Sequence, residues 1–379
     1  MRVAFVSNVV YPFVTGGAEK RIHEIGTRLA DKGHDVTIYG RHFWDGPAET
    51  THEGMTLRAV APETELYTND RRSITEALDF AARAIHPLNK HLRNDEHDLV
   101  VASVFPYFPV LAAKLATVGT DTPLVTTWHE VWGDYWTEYL GHLAPFGKLT
   151  ERITARTPQH TIAVSGITAD RLAEIGPPRD RIRTIPNGID VEQIQNAPLP
   201  EQGYDVLFAG RLIEHKNVDQ LLEAFDAVAA DHDVTLGIIG DGPERERLEA
   251  NHRTLSHADR VQFLGFLDDY EDVLGHMRAA DVFASPSTRE GFGITYAEAM
   301  AAGCTVIGAD HPDSAADEVI GHAGFLVEPT VDALTKTLEA ALCGARPSSD
   351  PVKRAQRYDW DAVADQAETA YQSAIDGSW

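Results

Sequence analysis

The residues best placed to do chemistry in this 379-residue chain lie in Ser285-Pro-Ser-Thr-Arg-Glu-Gly-Phe-Gly-Ile-Thr-Tyr-Ala-Glu-Ala-Met300. The pattern predicts a strand ending near Ala284, a glycine-containing loop, and a helix beginning around Gly293. Gly291 and Gly293 let the backbone approach a ligand closely. A helix N-terminus adds free N–H groups and a positive dipole end, a combination that suits a diphosphate. Glu290 precedes the helix and can reach groups at its mouth. Glu298, eight residues on, can accept two hydrogen bonds from a ribose cis-diol. A surface glutamate with a second on the polar face of the helix would read the same way.

A second constellation is Phe208-Ala-Gly-Arg-Leu-Ile-Glu-His-Lys-Asn217. Gly210 turns the chain after a strand, and Arg211 and Lys216 flank a short loop before a helix. Two cations at the carboxyl end of a strand are well placed for a leaving diphosphate, though a pair of solvated cations is the plain alternative. Nearer the start, Gly16 and Gly17 in Val14-Thr-Gly-Gly-Ala-Glu19 permit close approach to a phosphate or sugar, or simply make a turn. His129, in Thr126-Thr-Trp-His-Glu-Val-Trp132, follows a buried strand at its carboxyl end, where α/β ligands bind and where structural histidines also occur.

Alternating strands and helices must position these groups. Val3–Val6 is an apolar run, Glu19–Lys32 carries Ile22, Ile25 and Leu29 at helical spacing, and Gly33 stops that helix before a strand at Asp35–Tyr39. Leu99–Ala102, Leu124–Thr127 and Thr161–Val164 predict further strands. Ile185-Pro-Asn-Gly-Ile-Asp190 is turn-rich, and Asn196–Gly203 reads as a linker. The alternation then resumes with strands at 206–209, 235–239, 261–263, 282–284 and 305–307, and helices at 218–230, 243–251 and 295–302. The expectation is α/β: two doubly wound domains, residues 1–195 and 196–357, with a helical segment at 358–379 crossing back to the first.

Composition narrows the function classes. There are 58 acids against 33 Lys+Arg, a formal net charge of −25, and only eight lysines. A surface so acidic argues against nucleic acid and is expected of a protein kept soluble in a salty cytoplasm, or of one that is merely acidic. Cys304 and Cys343 are too few and too far apart for a disulfide framework or a structural zinc site. No apolar run reaches the length of a membrane span, because Pro106, Pro109 and Lys114 interrupt the best candidate. Met1–Asn8 turns polar too soon for a signal peptide. A cytoplasmic protein is expected.

Together the segments resemble the retaining glycosyltransferases of family 4, which have the GT-B fold of two Rossmann-like domains facing a central cleft. The resemblance runs through Gly16-Gly-Ala-Glu19, His129, Ala163-Val-Ser165, Ile185–Asp190, Gly210-Arg-Leu with Lys216, Gly240-Asp-Gly-Pro-Glu244, Phe263-Leu-Gly265 and the Glu290/Glu298 pair of the E-x7-E motif. It implies a donor domain at 196–357 and an acceptor domain at 1–195. Arg211 and Lys216 would stabilise the departing diphosphate. Glu290 would contact donor-sugar hydroxyls, with backbone N–H groups near Phe292 and Gly293 supporting sugar and phosphate. Glu298 would hold the ribose, Gly17 would approach the diphosphate, His129 would contact the transferred sugar, and the segment around Phe266 would lie near the base. The implied donor is a nucleotide-diphosphate sugar, with no cofactor and no metal. The Asp-x-Asp spellings at Asp231–Asp233 and Asp359–Asp361 fall in a helix-to-strand loop and at a helix cap, away from any ligand-facing loop.

This sequence departs from the family at Gly308–Ala315, which lacks the Gly-Gly-x-Pro run. Val14 before Thr15 disfavours the starch and glycogen synthase branch. Two other readings share the architecture: a sugar-nucleotide 2-epimerase, and a non-catalytic sugar-nucleotide sensor. The acceptor is expected to be a glycan, a lipid-linked sugar or a small molecule. Trp128, Trp132, Tyr135, Trp136 and Tyr139 either line its groove or belong to the core. Lys148, Arg152 and Arg156 form either a small patch facing the inner membrane surface or a solvated helix face.

Overall fold

The computed structural model describes every residue except 15, 66, 69, 70, 73, 95 and 105. The chain forms two compact units, Met1–Pro186 with Val363–Trp379, and Asn187–Ala362. The division lies after Pro186 rather than near residue 195. The reason is local: Ile189 N–H donates to Tyr358 O at 2.7 Å and Trp360 N–H to Ile189 O at 3.0 Å, which ties residues 187–196 to the second unit. Gly188 is required there, because a Cβ would meet the Trp360 ring at 2.2 Å. The helix Trp360–Ile375 starts in the second unit and ends in the first.

In the first unit β1 (Arg2–Val6), β2 (Asp35–His42), β3 (Glu49–His52), β4 (Met55–Pro62), β5 (Leu99–Ser103), β6 (Leu124–Trp128), β7 (His160–Ala163) and β8 (Ile182–Thr184) form one sheet. The order is β8-β7-β6-β5-β1-β2-β4-β3, parallel throughout except for the β3–β4 pair. Runs such as Leu99-Val-Val-Ala102 are wholly buried, as strands covered on both faces must be. The second unit holds β9 (Val206–Ala209), β10 (Leu236–Ile239), β11 (Val261–Gly265), β12 (Val282–Ser285), β13 (Thr305–Ala309) and β14 (Phe325–Val327), all parallel. Their order is β11-β10-β9-β12-β13-β14.

Among the parallel strands each order reverses once, between β1 and β5 in the first sheet and between β9 and β12 in the second. Ligands of open α/β sheets bind outside the carboxyl ends of the strands at such a reversal. The loops after those four strands are therefore the places to look.

Candidate active site

In the second unit three glycines bring the strand ends close. Gly210 N–H donates to Ile239 O at 3.0 Å and Gly240 N–H to Gly265 O at 2.7 Å. Gly240 has φ +128°, and a Cβ on it would lie 1.9 Å from Gly210 O, so no other residue fits. Arg211, immediately after β9, is exposed, and its side chain makes no hydrogen bond or ion pair among the described residues. The short 3₁₀ turn Glu214–Lys216 follows. Asn217 closes it in the left-handed conformation and donates through Nδ2 to Pro286 O at 3.0 Å. Thr288 N–H donates to His215 O at 2.9 Å, so the loops after β9 and β12 are stitched together at the reversal.

That stitching places Lys216 Nζ against Glu290 Oε1. The two side chains are 15% and 12% exposed, so their attraction is little screened by water; both charges have also lost hydration, so removing either one would leave the other buried without compensation. His215 is held neutral, its pKa lowered to about 4 by burial, then by Lys216, with Arg289 also acting against its charge. Gly293, with φ +81°, caps the helix Ile294–Ala302 and supplies no side-chain cap hydrogen bond. The Phe292 ring is buried and packs edge-on against Tyr358 at 5.4 Å. Glu290 is also tied to the segment that departs from the family pattern: Ala315 N–H donates to Glu290 O at 3.0 Å.

Glu298 is not on a polar face. It is 3% exposed, and its Oε1 accepts from the Tyr270 hydroxyl, which opens the helix Tyr270–Ala279. Shielding of the hydroxyl and the adjacent carboxylate raise the Tyr270 pKa well above its usual value, although the residue as a whole is 43% exposed, so this hydroxyl stays a donor. Phe266 follows β11 after Gly265 (φ +77°) and is 74% exposed, a bare ring at the carboxyl edge.

In the first unit Gly16 precedes the helix Gly17–Asp31, again with no side-chain cap. Gly17 is exposed, and nothing lies within 4 Å of where its Cβ would be. Thr15, of the same turn, lies outside the described residues. His129, after β6, is half-buried and its Nε2 lies 3.2 Å from Ser103 Oγ at the end of β5. Burial and the nearby Arg21 guanidinium lower its pKa to about 3. It is a neutral imidazole under ordinary conditions, fit to hydrogen-bond a hydroxyl but not to carry charge.

Residues 15–193 match the family described as Glycosyltransferase Family 4, and residues 190–358 that described as Glycosyl transferases group 1. The chain is 30% identical to a phosphatidyl-myo-inositol mannosyltransferase of Mycolicibacterium smegmatis, over 98% of this chain and 94% of that one. It belongs to the family 4, group 1 glycosyltransferases. It is also 27% identical to a glycogen synthase of Mycobacterium tuberculosis, over 100% of this chain and 96% of the other. The glycosyltransferase fold, GT-B, is shared with sucrose-phosphate synthase from Thermosynechococcus elongatus, with a TM-score of 0.77 at 20% identity over the full length of both.

Within this glycosyltransferase the aromatic stretch divides. Trp128 and Trp136 are core residues, whereas Trp132, Tyr135 and Tyr139 remain partly exposed. The buried Glu151 fixes their loop, accepting from Trp132 N–H at 2.8 Å, Gly133 N–H at 3.1 Å and the Tyr107 hydroxyl at 2.8 Å. Of the Asp-x-Asp residues, Asp359 Oδ1 accepts from Asp361 N–H at 2.9 Å, and Asp231–Asp233 lie in the loop before β10.

Sequence reasoning missed Tyr270 and Arg21. No local signal marks Tyr270. Arg21 had one: it sits four residues before Ile25 and eight before Leu29, on the buried stripe of its helix. There it is 3% exposed and donates to the carbonyls of Ile185 and Pro186.

Proposed function

We propose that this glycosyltransferase moves a hexose from a nucleotide-diphosphate sugar to its acceptor with retention of anomeric configuration and without a metal. The observation that carries the reading is the Lys216–Glu290 pair at the sheet reversal, beside the uncapped helix at Gly293 and the unengaged Arg211. On this reading Arg211, Lys216 and the helix N-terminus take the charge of the departing diphosphate in place of a cation. Glu290 holds donor-sugar hydroxyls and steadies Lys216. Glu298, braced by Tyr270, holds the ribose, and Phe266 offers its face to the base. In the first unit the open backbone at Gly17 meets phosphate, with Glu19, whose carboxylate lies against Gly16, giving way, and neutral His129 bonds a hydroxyl of the sugar. A donor panel with NMR of the product linkage tests this. An inverted linkage, or epimerisation of UDP-GlcNAc without acceptor, would replace it.

The acceptor we favour is presented at a membrane surface. No described helix is long and apolar enough to cross a membrane. The helix Ala144–Arg156, however, exposes Phe146, Leu149 and Ile153 by 54, 56 and 50%, with Leu143 just before it at 64%. Steps of about 100° per residue place these four within an arc of about 120°, with Lys148, Arg152 and Arg156 along one side. An apolar stripe edged with cations suits the interface of an anionic bilayer, though Lys148 is also paired with Asp134 at 2.6 Å. Flotation with phosphatidylglycerol vesicles, lost in Phe146→Glu, is the expected result; equal flotation of that variant would remove the proposal. One relative is named a glycogen synthase, so Val14 does not by itself exclude glucan acceptors. The acidic, lysine-poor surface supports adaptation to high salt, and an unfolding temperature insensitive to added KCl would contradict it.

A further inference from the structure

The amino ends of β7 and β8, the opposite edge of the first sheet from Ser103 and His129, border a cavity of about 540 Å³. The four residues of β7 separate the two edges by roughly 13 Å. Every lining residue belongs to the first unit. The volume lies inside the range of roughly 300–1,000 Å³ typical of small-molecule sites.

The charged side chains of the lining have one sign. Arg156 ends the helix Ala144–Arg156, and Arg181 immediately precedes β8; both line the cavity. No Asp or Glu lines it, in a chain with 58 acids. Neither guanidinium has an ion-pair partner among the described residues; Arg156 Nε donates only to Ile175 O, at 3.1 Å. Arg183 and Lys114 lie close enough to His160, at the start of β7, to depress its pKa after burial has done so. The remaining wall is mixed, with Thr157 and Gln159 beside prolines and the flat face of Trp379. The Trp379 indole sits 4.8 Å from the His160 ring and 4.5 Å from the Arg183 guanidinium, and its Nε1 donates to Arg181 O at 3.0 Å. Both arginines are exposed; guanidinium groups suit phosphate oxygens, and an indole face suits the carbon skeleton that a phosphate is attached to.

We infer that this cavity binds a phosphate group, held by Arg156 and Arg181, with the organic part of its carrier against the Trp379 indole. The carrier is a soluble phosphate ester or the head of an anionic lipid. The site is separate from the strand ends that the glycosyl-transfer reading uses and does not depend on that reading.

Calorimetry with inorganic phosphate and with glycerol 1-phosphate tests the soluble source, and flotation with phosphatidylglycerol against phosphatidylcholine vesicles tests the lipid. Binding of at least one probe is expected. Arg156→Gln with Arg181→Gln should weaken soluble-probe binding by about tenfold or more, the scale of lost charge-assisted hydrogen bonds. Arg211→Ala should leave the binding component that this double variant removes unchanged. In the vesicle arm Arg181→Gln is used alone, because Arg156 also edges the apolar stripe; Phe146→Glu there reports on the stripe and should spare soluble-phosphate binding. Binding of neither probe, binding indifferent to the arginine variants, or binding lost only with Arg211→Ala would overturn the inference. Should the variants fail to fold, the Trp379 indole N–H resonance of the wild-type protein is the second readout. It should shift on phosphate addition, and a resonance that stays put while phosphate binds elsewhere rejects the site.

Discussion

Gly17→Ala isolates ligand approach from folding. At Gly17 the backbone is not left-handed and no heavy atom lies within 4 Å of an added Cβ, so the fold has room for it. Alanine is also the better helix former by up to about 1 kcal/mol, less at a first helical position, so stability should hold or rise slightly. A phosphate oxygen resting on the bare Cα at about 3.3 Å would stand only about 2 Å from the new methyl and must withdraw. Loss of one charge-assisted backbone hydrogen bond at about 1.5–3 kcal/mol raises the donor KM roughly 10- to 100-fold. The same change is less informative elsewhere. At Gly293 φ is +81° and the Cβ would meet the Tyr296 ring at 2.6 Å, so misfolding would confound the result. Donor kinetics and thermal unfolding of Gly17→Ala give the answer. A donor KM within twofold of wild type on a fully folded variant would show that this turn does not touch the donor.

The two glutamates should separate kinetically. Glu290→Gln should cut kcat strongly, whereas Glu298→Gln and Tyr270→Phe should mainly raise donor KM, because only interactions that strengthen in the transition state set the rate; the reverse pattern would swap sugar and ribose along the helix. Arg211→Ala should lower turnover by roughly 10²–10³-fold, the usual scale for one charge-stabilising donor, and wild-type activity should survive EDTA at constant ionic strength; activity restored only by manganese would refute this. Acid should destabilise the first unit through His97, which is 6% exposed and whose pKa burial lowers to about 4. The folded state favours the neutral ring, so its contribution is full above the unfolded value near 6.5 and is lost as pH falls towards about 4. The loss is on the order of 3 kcal/mol. Denaturant unfolding of His97→Gln should show a correspondingly flatter acid limb, and an unchanged limb would exclude the ring as the source.

The strand-turn-helix segments were legible because their determinants are local. Gly210, Gly240 and Gly293 each mark a turn, apolar runs mark buried strands, and the residues just past them fall at carboxyl ends whatever the strand order. Observed bounds differ from those expected by a residue or two at most positions, as at Gly17–Asp31 against Glu19–Lys32. The longer deviations have local causes: β2 continues to His42, where Arg41 is buried against Glu76 at 3.0 Å.

By itself, then, the sequence determined which side chains stand at strand ends: Arg211, Lys216, Glu290, His129 and the glycine pairs. Only the tertiary structure decided which of them meet. Lys216 and Glu290 are brought together because the chain returns to lay β12 beside β9, a crossover choice that no local propensity encodes. The same holds for Tyr270 on Glu298, for Arg21 on the carbonyls of Ile185 and Pro186, and for Trp379 between His160 and Arg183. Burial was likewise undecided until packing was fixed. Trp128 and Trp132 stand four residues apart in one aromatic run, yet one is sealed in the core and the other reaches the surface. Side-chain direction and covering partner set that difference, and both depend on how distant segments pack.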